Sequence, residues 1–319
     1  PGRRGRFGTR GLSACYRLPI VTRILIGTRG SKLAMAQSEM MAAELRRHGH
    51  EAELEVFVTR GDKEQHATVP ELGGKGLFTA ELEEALLDGR IQVAVHSLKD
   101  LPTEDAEGLT VGAIPPREDH RDALVSKGGL AFADLPPGAK VGTASLRRRA
   151  LLRHARPDLD LQPLRGNVDT RIRKALEGEL DAVVLAAAGL NRIGRPEVIA
   201  EHLEFLPAPA QGALGIQCRA NDTEILGALS KLHHEATARC AVAERVLLNV
   251  LEGGCSVPVG ALGTVEASGE VHLRGLVAAI DGSRVLRAEA TGGDPASVGR
   301  KVAGLLRDQG AQEILDAAT

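Results

Sequence analysis

The sequence predicts an α/β protein of two similar units, followed by a small C-terminal α+β domain. From Ile20 onward, short apolar stretches alternate with amphipathic ones, which is typical of strands alternating with helices. An internal repeat gives the second observation, because residues 26–32 (IGTRGSK) are echoed by residues 141–147 (VGTASLR). The third is a change of pattern after Ala243, where one helical stretch precedes three strand-like stretches.

The first unit is predicted to open with a strand over 20–26 and a helix that Ser31 caps and that runs to His48. Apolar residues at 52, 54, 56 and 58 alternate with glutamates, which indicates a half-buried strand. Further on, we expect a helix over 79–88 and a buried strand over 91–95. That strand leads directly into the sequence HSLKDLP at 96–102.

Proline-rich stretches at 115–116 and 207–209 are the predicted crossing points between the two units. Beyond them, Ala243 to Leu251 place apolar residues on one helical face. Strands are predicted over 257–265, 271–279 and 284–290, and a last helix over 296–309. The domain boundaries that follow are a disordered or targeting extension over 1–18, domain 1 over 19–115 plus 213–230, domain 2 over 121–209, and domain 3 over 235–319.

The composition argues against binding to nucleic acid or to membranes. A net charge of −2 provides no global field for nucleic acid or an anionic membrane, and aromatic residues, at 2 %, are too few for base stacking. No stretch approaches the ~20 apolar residues of a membrane span. The four cysteines form no C-x-x-C pair, so we expect reduced thiols, no metal site and a cytoplasmic protein. An organelle stroma or matrix is the alternative if the Arg-rich, acid-free residues 1–18 are a transit segment.

Basic residues concentrate at the predicted strand-to-helix turns. Ligands of open α/β sheets bind at the carboxyl ends of strands, where helix N-termini favour anions, and arginine suits carboxylate or phosphate. The positions are Arg29, Lys32, Arg147, Arg148, Arg149, Arg165 and Arg171. The sequence therefore predicts a ligand with many negative charges. Solvated surface arginines and a nucleic-acid site are the alternatives.

Two residues are candidates for chemistry. Asp100 follows a buried strand and precedes Pro102, so it is either a turn-capping carboxylate held by Lys99 or a carboxylate in a cationic cleft. In a cleft it could stabilise a developing cation and transfer protons. Cys255 lies in the glycine-flanked loop LEGGCSVP at 251–258, where a sulfur could carry a covalent group.

Together these motifs resemble the porphobilinogen deaminase (hydroxymethylbilane synthase) family over nearly the whole chain, from Ile24 to Leu315. The resemblance is carried by GTRGS at 27–31, TRGD at 59–62, GGKGLF at 73–78, HSLKD at 96–100, GTASLRR at 142–148, LRGNV at 164–168, QGA at 211–213 and the cysteine loop. Ala210 departs from the commonest pattern, in which glycine precedes Gln211.

The resemblance implies two hinged lobes like type-II periplasmic binding proteins and a third domain with a three-stranded antiparallel sheet. It implies a transferase that joins four porphobilinogens head to tail with release of ammonia, in porphyrin and haem biosynthesis. Cys255 would hold a dipyrromethane cofactor through a thioether, and Asp100 would be catalytic. The implied cofactor-binding residues are Lys99, Thr143, Ser145, Arg147, Arg148, Asn167 and Gln211. The implied substrate-binding residues are Arg29, Ser31, Arg165, Arg171 and Lys75.

The expected partners are porphobilinogen and the growing polypyrrole chain, with no nucleic acid and no membrane, and the protein is expected to be a monomer. The rival hypothesis is a two-lobed anion- or solute-binding module without covalent chemistry. The lobes alone do not discriminate between the two. The cysteine of the third domain does, because a receptor has no use for a thiol that faces the cleft.

Overall fold

The computed structural model describes residues 23–59, 79–251 and 257–318. The extension predicted over 1–18, Lys75 and Cys255 lie outside the described residues. The described strands are β1 (Arg23–Arg29), β2 (Glu51–Phe57), β3 (Val93–Ser97), β4 (Leu109–Ala113), β5 (Asp122–Ser126), β6 (Lys140–Gly142), β7 (Asp160–Gln162), β8 (Ala182–Ala186), β9 (Glu201–Leu203), β10 (Leu214–Arg219), β11 (Val259–Val265), β12 (Val271–Ala278) and β13 (Val285–Gly292). The described α-helices are α1 (Lys32–Arg47), α2 (Ala80–Leu87), α3 (Leu146–Ala155), α4 (Val168–Leu176), α5 (Ala187–Arg192), α6 (Thr223–Leu229), α7 (Glu235–Val250), α8 (Pro295–Asp308) and α9 (Ala311–Asp316).

The first lobe is built on a mixed sheet with the strand order β2-β1-β3-β10-β4. β1 is parallel to β2 and β3, whereas β10 is antiparallel to both of its neighbours. β1 continues to Arg29, past the predicted end at Ile26, because residues 27–29 keep their pairing with β2. Its core joins Ile24 of β1, Leu45 of α1 and Ile216 of β10.

The second lobe repeats this arrangement with the order β7-β6-β8-β5-β9. β6 is parallel to β7 and β8, and β5 is antiparallel to both of its neighbours. β1 and β6 therefore take equivalent places in the two sheets, as the sequence repeat predicts. The predicted α/β class with two similar lobes, each built on a mixed sheet, is confirmed.

The C-terminal region forms a separate antiparallel sheet in the order β11-β12-β13 within residues 257–318. α7 and α8 pack on this sheet through Leu247, Leu273 and Val302, which are fully buried. The predicted three-stranded antiparallel sheet with helices is confirmed. Its last strand covers 285–292, displaced slightly from the predicted 284–290.

This third domain packs against both lobes. Leu276 of β12 lies in one apolar cluster with Leu151 of α3, and Ala238 of α7 lies in another with Leu98 and Leu101 of the first lobe. The domain therefore contacts α3 on one side and the segment that follows β3 on the other. These two elements also carry the candidate site.

Candidate active site

Two serines at equivalent strand ends begin the helices that border the cleft. The Ser31 hydroxyl accepts a hydrogen bond from the Ala34 amide at 3.3 Å, and the Ser145 hydroxyl accepts one from the Arg148 amide at 3.4 Å. Each serine is thus the N-cap of its helix, α1 or α3, as predicted. Thr143 is buried, and its hydroxyl accepts a hydrogen bond from the Ser145 amide at 3.2 Å.

Asp122 is the centre of a buried charge cluster in the second lobe. Arg147 donates from Nη1 to Oδ2 at 2.8 Å, and Arg148 donates from Nη2 to Oδ1 at 2.8 Å. Burial alone would raise the pKa of Asp122, but the charges and hydrogen bonds of Arg147 and Arg148 outweigh it and hold the pKa well below its usual range. One carboxylate therefore holds two guanidinium groups at the start of α3.

Arg147 and Arg148 are both buried, although basic residues that line a cleft would be expected to be exposed. Arg147 is almost fully buried, and its Nη1 also donates to the Leu206 carbonyl at 2.8 Å. It therefore lies in the interior, with its terminal nitrogens turned to Asp122 and Leu206. Arg148 is 7 % exposed and donates from Nη1 to the Val184 carbonyl at 2.9 Å. Of the two, Arg148 retains more exposed surface, 7 % against 2 % for Arg147.

Gln211 connects this cluster to the first lobe. Its side-chain nitrogen donates to Asp122 Oδ1 at 2.8 Å and to the His120 carbonyl at 2.9 Å. Its side-chain oxygen accepts from Lys99 Nζ at 3.1 Å and from Arg148 Nη2 at 3.3 Å. Gln211 thus bridges a lysine of the first lobe and an arginine of the second.

Lys99 and Asp100 lie on a short 3-10 helix, Leu98–Asp100, that follows β3. The pKa of Lys99 is lowered to about 8, chiefly because burial removes water from its ammonium group and also because Arg148 and Arg147 repel it, although Asp100 and Asp122 oppose this. Asp100 itself is exposed. Its carboxylate therefore faces solvent next to a buried cationic cluster.

The second lobe brings further cations to the same place. Arg171, on α4, donates from Nε to the Gly166 carbonyl at 2.7 Å. Burial and the positive charges of Arg148 and Arg165 lower its pKa, whereas the negative charge of Asp100 raises it. Asp100 of one lobe and Arg171 of the other therefore lie within electrostatic reach of each other.

The remaining predicted residues lie around this centre. Arg29 is half-buried at the end of β1, and its positive charge acts on His96. Arg165 and Asn167 are exposed beside the start of α4, where Asn167 is the N-cap. Lys32, also basic in the sequence repeat, lies 3.4 Å from Asp169 of the second lobe and so links the two sides of the cleft.

Two residues of the site were not predicted. Asp122 opens β5 and is fully buried, so a carboxylate at the start of an otherwise apolar strand was the available signal. Arg192, at the end of α5, donates to the Gly212 carbonyl at 2.7 Å. Burial lowers the pKa of Arg192 to about 10, against the influence of Glu118. No sequence motif marked Arg192.

The cluster suits a ligand that bears several carboxylates. Lys99 of the first lobe and Arg171 of the second both lie within electrostatic reach of Arg148 and Asp100. Within residues 23–59, 79–251 and 257–318, no group of three His, Cys, Asp or Glu side chains could hold a metal ion. The helices of those same ranges include none with the length and apolarity needed to cross a membrane.

Comparison with known proteins identifies the family. Residues 24–227 match the family model described as porphobilinogen deaminase, dipyromethane cofactor binding domain, and residues 238–308 match the porphobilinogen deaminase C-terminal domain. The chain is 48 % identical to the porphobilinogen deaminase of Shouchella clausii over 300 residues, which cover 92 % of this chain and 96 % of that protein. It is 44 % identical to the porphobilinogen deaminase of Bacillus subtilis over 299 residues, covering 92 % and 95 % of the two chains.

Among solved structures, a putative methionine-binding lipoprotein from Bacillus subtilis matches with 14 % identity and a TM-score of 0.43. That match covers 67 % of this chain and 92 % of the lipoprotein.

Fold and site define a two-lobed α/β protein that concentrates cations around one exposed carboxylate, with a third domain packed against both lobes. The chain belongs to the porphobilinogen deaminase family. The predicted family and its dipyrromethane cofactor are confirmed, and the rival hypothesis of a binding module without chemistry is not supported.

Proposed function

We propose that this protein joins four porphobilinogen molecules head to tail with release of ammonia, that one water then releases the chain as hydroxymethylbilane, and that Asp100 is the catalytic residue. The observation that carries the proposal is the position of Asp100. Its carboxylate is exposed on the first lobe, while Lys99, Arg148 and Arg171 surround the same place with positive charge. An exposed carboxylate beside several cations is suited to a substrate whose outer carboxylates are negative and whose ring becomes positively charged during the reaction.

The cationic side chains bind the carboxylates of the substrate and of the cofactor. Each porphobilinogen carries an acetate and a propionate, and guanidinium groups bind carboxylates with two parallel hydrogen bonds. Arg148 and Gln211 on the buried side are assigned to the dipyrromethane, together with Lys99, Thr143, Ser145 and Asn167. Arg29, Ser31, Arg165, Arg171 and Lys75 are assigned to the incoming substrate. Arg147 acts indirectly, because its terminal nitrogens already hold Asp122 and the Leu206 carbonyl.

Asp100 stabilises the positive charge that develops on the substrate during the reaction. When protonated amine leaves the substrate, positive charge spreads over the pyrrole ring and its methylene carbon. The Asp100 carboxylate accepts a hydrogen bond from the pyrrole N–H and stabilises that charge, an effect typically worth a few kcal/mol. It also serves to accept the proton that the pyrrole ring carbon loses on coupling. The dipyrromethane, attached through Cys255, supplies a permanent primer with a nucleophilic ring carbon.

Two variants test this assignment. Asp100→Ala is expected to keep the covalently bound dipyrrole, seen as added mass on the intact chain, and to lose turnover of porphobilinogen by more than 100-fold, on the order of the effect of an electrostatic catalytic group. Cys255→Ser is expected to lose both the added mass and turnover. Asp105→Ala, at another exposed aspartate after the same strand, is the matched control and should behave as the parent. Near-normal turnover in Asp100→Ala would remove the catalytic role, and an unmodified parent chain would remove the whole proposal.

We also propose that the protein works in the cytoplasm as a monomer, without nucleic acid or membrane. Its near-neutral net charge of −2 and its scattered cysteines are the supporting observations. Analytical ultracentrifugation of the cofactor-loaded protein would show a single species of about 34 kDa, given a chain mass of 33.6 kDa. A dimer at micromolar concentration would contradict the monomer.

A further inference from the structure

One arginine of the third domain holds the turn that carries Asp100. Arg245 lies on α7 and is half-buried. Its guanidinium donates from Nη2 to the Pro102 carbonyl at 2.6 Å and from Nη1 to the carbonyls of Leu98 and Leu101 at 3.3 Å each. One of these carbonyls lies two residues before Asp100, and the other two belong to the two residues after it.

A guanidinium group such as that of Arg245 is well suited to backbone carbonyls near the end of a short helix. The last carbonyls of a helix lack partners inside it and carry partial negative charge, so a cation at that end is favourable. The 3-10 helix Leu98–Asp100 is a single turn whose Leu98 carbonyl accepts the Leu101 amide at 3.3 Å, and the carbonyls of Leu101 and Pro102 lie just beyond it. Arg245 supplies the donors from another domain, and its planar fork can serve several carbonyls at once, which an ammonium group does less well.

Other contacts fix the same turn from beneath. The Leu98 amide donates to the Ala213 carbonyl at 3.0 Å, and the side chains of Leu98 and Leu101 are buried against Ala238 and Ala241 of α7. The backbone under Asp100 is therefore clamped between the strand that returns to the first lobe and the helix of the third domain. Asp100 itself is exposed.

α7 also leads directly to the cofactor cysteine. Arg245 precedes Leu251 by six residues, which is about 9 Å along a helix, and Cys255 follows four residues later in the sequence. The residue before Arg245, Glu244, accepts hydrogen bonds from Arg117 and from the Ala210 amide, which belong to the two crossing segments between the lobes. One helix thus contacts the Asp100 turn and both crossings, and in the sequence it is followed by the loop that contains Cys255.

We propose that Arg245 is a positioning residue for the reaction: it holds the Asp100 turn at a fixed place relative to the helix that leads to Cys255. This inference rests on the catalytic role proposed for Asp100. Because the substrate's carboxylates are bound by residues other than Arg245, its loss displaces Asp100 without weakening substrate binding. The consequence is a loss of kcat with little change in KM.

Arg239 provides a matched control on the same helix. It donates from Nη2 to the Gly293 carbonyl at 2.7 Å, so it makes the same kind of contact but within the third domain. We compare Arg245→Gln, Arg245→Lys and Arg239→Gln as cofactor-loaded enzymes, with intact mass, thermal unfolding and steady-state kinetics on porphobilinogen. Arg245→Gln is expected to retain the dipyrrole mass, to lose kcat by about 10-fold or more, as displacements near 1 Å do, and to change KM by less than about 2-fold. Arg245→Lys is expected to recover part of the kcat, and Arg239→Gln all of it.

Three outcomes overturn the inference while leaving the proposed function standing. The first is a kcat of Arg245→Gln equal to that of Arg239→Gln, with Asp100→Ala inactive. The second is a rise in KM that accounts for the loss, which would make Arg245 a binding residue. The third is loss of the dipyrrole mass, which would place Arg245 in cofactor assembly. If Arg245→Gln does not fold, Arg245→Lys decides: an intermediate kcat at unchanged KM supports the inference, and parental or KM-limited kinetics overturn it.

Discussion

Arg117 and Glu244 form a two-pronged ion pair at the junction of the three domains, with Nη1–Oε1 at 2.6 Å and Nη2–Oε2 at 3.0 Å. Glu244 is fully buried and also accepts hydrogen bonds from the amides of Ala210, at 2.6 Å, and Gly263, at 2.8 Å. A single carboxylate of the third domain therefore holds the first crossing segment, the second crossing segment and β11. The two crossing segments between the lobes are therefore anchored to the third domain.

Removing one member of this pair is expected to be costly. Arg117→Met leaves the Glu244 charge buried without its cation, and breaking a buried pair in this way typically costs about 3–5 kcal/mol. The free energy of unfolding, measured with urea, should fall by that order. Arg173→Met is the control, because Arg173 and Glu177 form an exposed pair on α4 whose loss costs less than about 1 kcal/mol. Equal effects of the two variants would contradict a structural role for the junction pair.

A second prediction concerns the buried carboxylate of Asp122. Asp122→Asn removes the negative charge that compensates Arg147 and Arg148, so two buried guanidinium groups are left to repel each other. We expect a loss of about 3–5 kcal/mol in the free energy of unfolding. We also expect weaker retention of the dipyrrole, because the start of α3 loses its anchor. Intact mass and urea unfolding measure these effects.

Asp169→Asn is the control for that experiment, since Asp169 pairs with Lys32 at an exposed site between the lobes. This variant should keep the dipyrrole mass and change stability by less than about 1 kcal/mol. Full stability and full cofactor retention in Asp122→Asn would show that the two arginines do not depend on this counterion.

The site shows where prediction from the sequence ends. Ser31 and Ser145 were predicted as helix caps because capping depends on residues three positions apart, and both caps are present. The sharing of Asp122 by Arg147 and Arg148 was not predicted, since it joins residues about 25 positions apart that meet only after the second sheet has formed. Arg147 was therefore expected at the ligand, whereas it lies in the interior.

The position of β10 in the first sheet likewise depends on contacts between residues far apart in the sequence. The sequence pattern assigns 213–230 to domain 1 without predicting a strand there, and the antiparallel place of β10 between β3 and β4 depends on the path of the chain through the second lobe. The fold class, the repeat and the third domain could be predicted because their signals are local and periodic. The contacts of α7 with the Asp100 turn could not, because they depend on how the domains dock.

A third prediction uses the pH dependence of stability. Burial lowers the pKa of His96 to about 4, partly offset by a hydrogen bond with Gln217 and strengthened by the charge of Arg29. The unfolded chain, with a histidine pKa near 6.5, binds more protons than the folded chain between these values. The contribution of His96 to the free energy of unfolding is therefore fully present above about pH 6.5. It is lost as the pH falls toward 4, by up to about 3 kcal/mol.

His96→Asn should remove that dependence, because asparagine does not titrate. Urea unfolding at several pH values between 4 and 7 compares the parent with His96→Asn and with His48→Asn, whose histidine is exposed. The difference in the free energy of unfolding between parent and His96→Asn should shrink as the pH falls, and His48→Asn should follow the parent. Parallel curves for all three proteins would show that His96 titrates normally.

The last prediction concerns the backbone next to Gln211. Gly212 has φ +89°, and a Cβ atom there would lie 2.4 Å from the Glu118 carbonyl oxygen, which belongs to the other crossing segment. Gly138 also has a positive φ, +76°, but a Cβ there would meet nothing within 4 Å. Gly138→Ala therefore measures the cost of the left-handed backbone alone, about 1–2 kcal/mol. Gly212→Ala should cost distinctly more and should also lower turnover, because the two crossing segments must separate and Gln211 moves with them. Equal losses of stability in the two variants, with parental turnover in Gly212→Ala, would mean that the close approach of the crossings is not required.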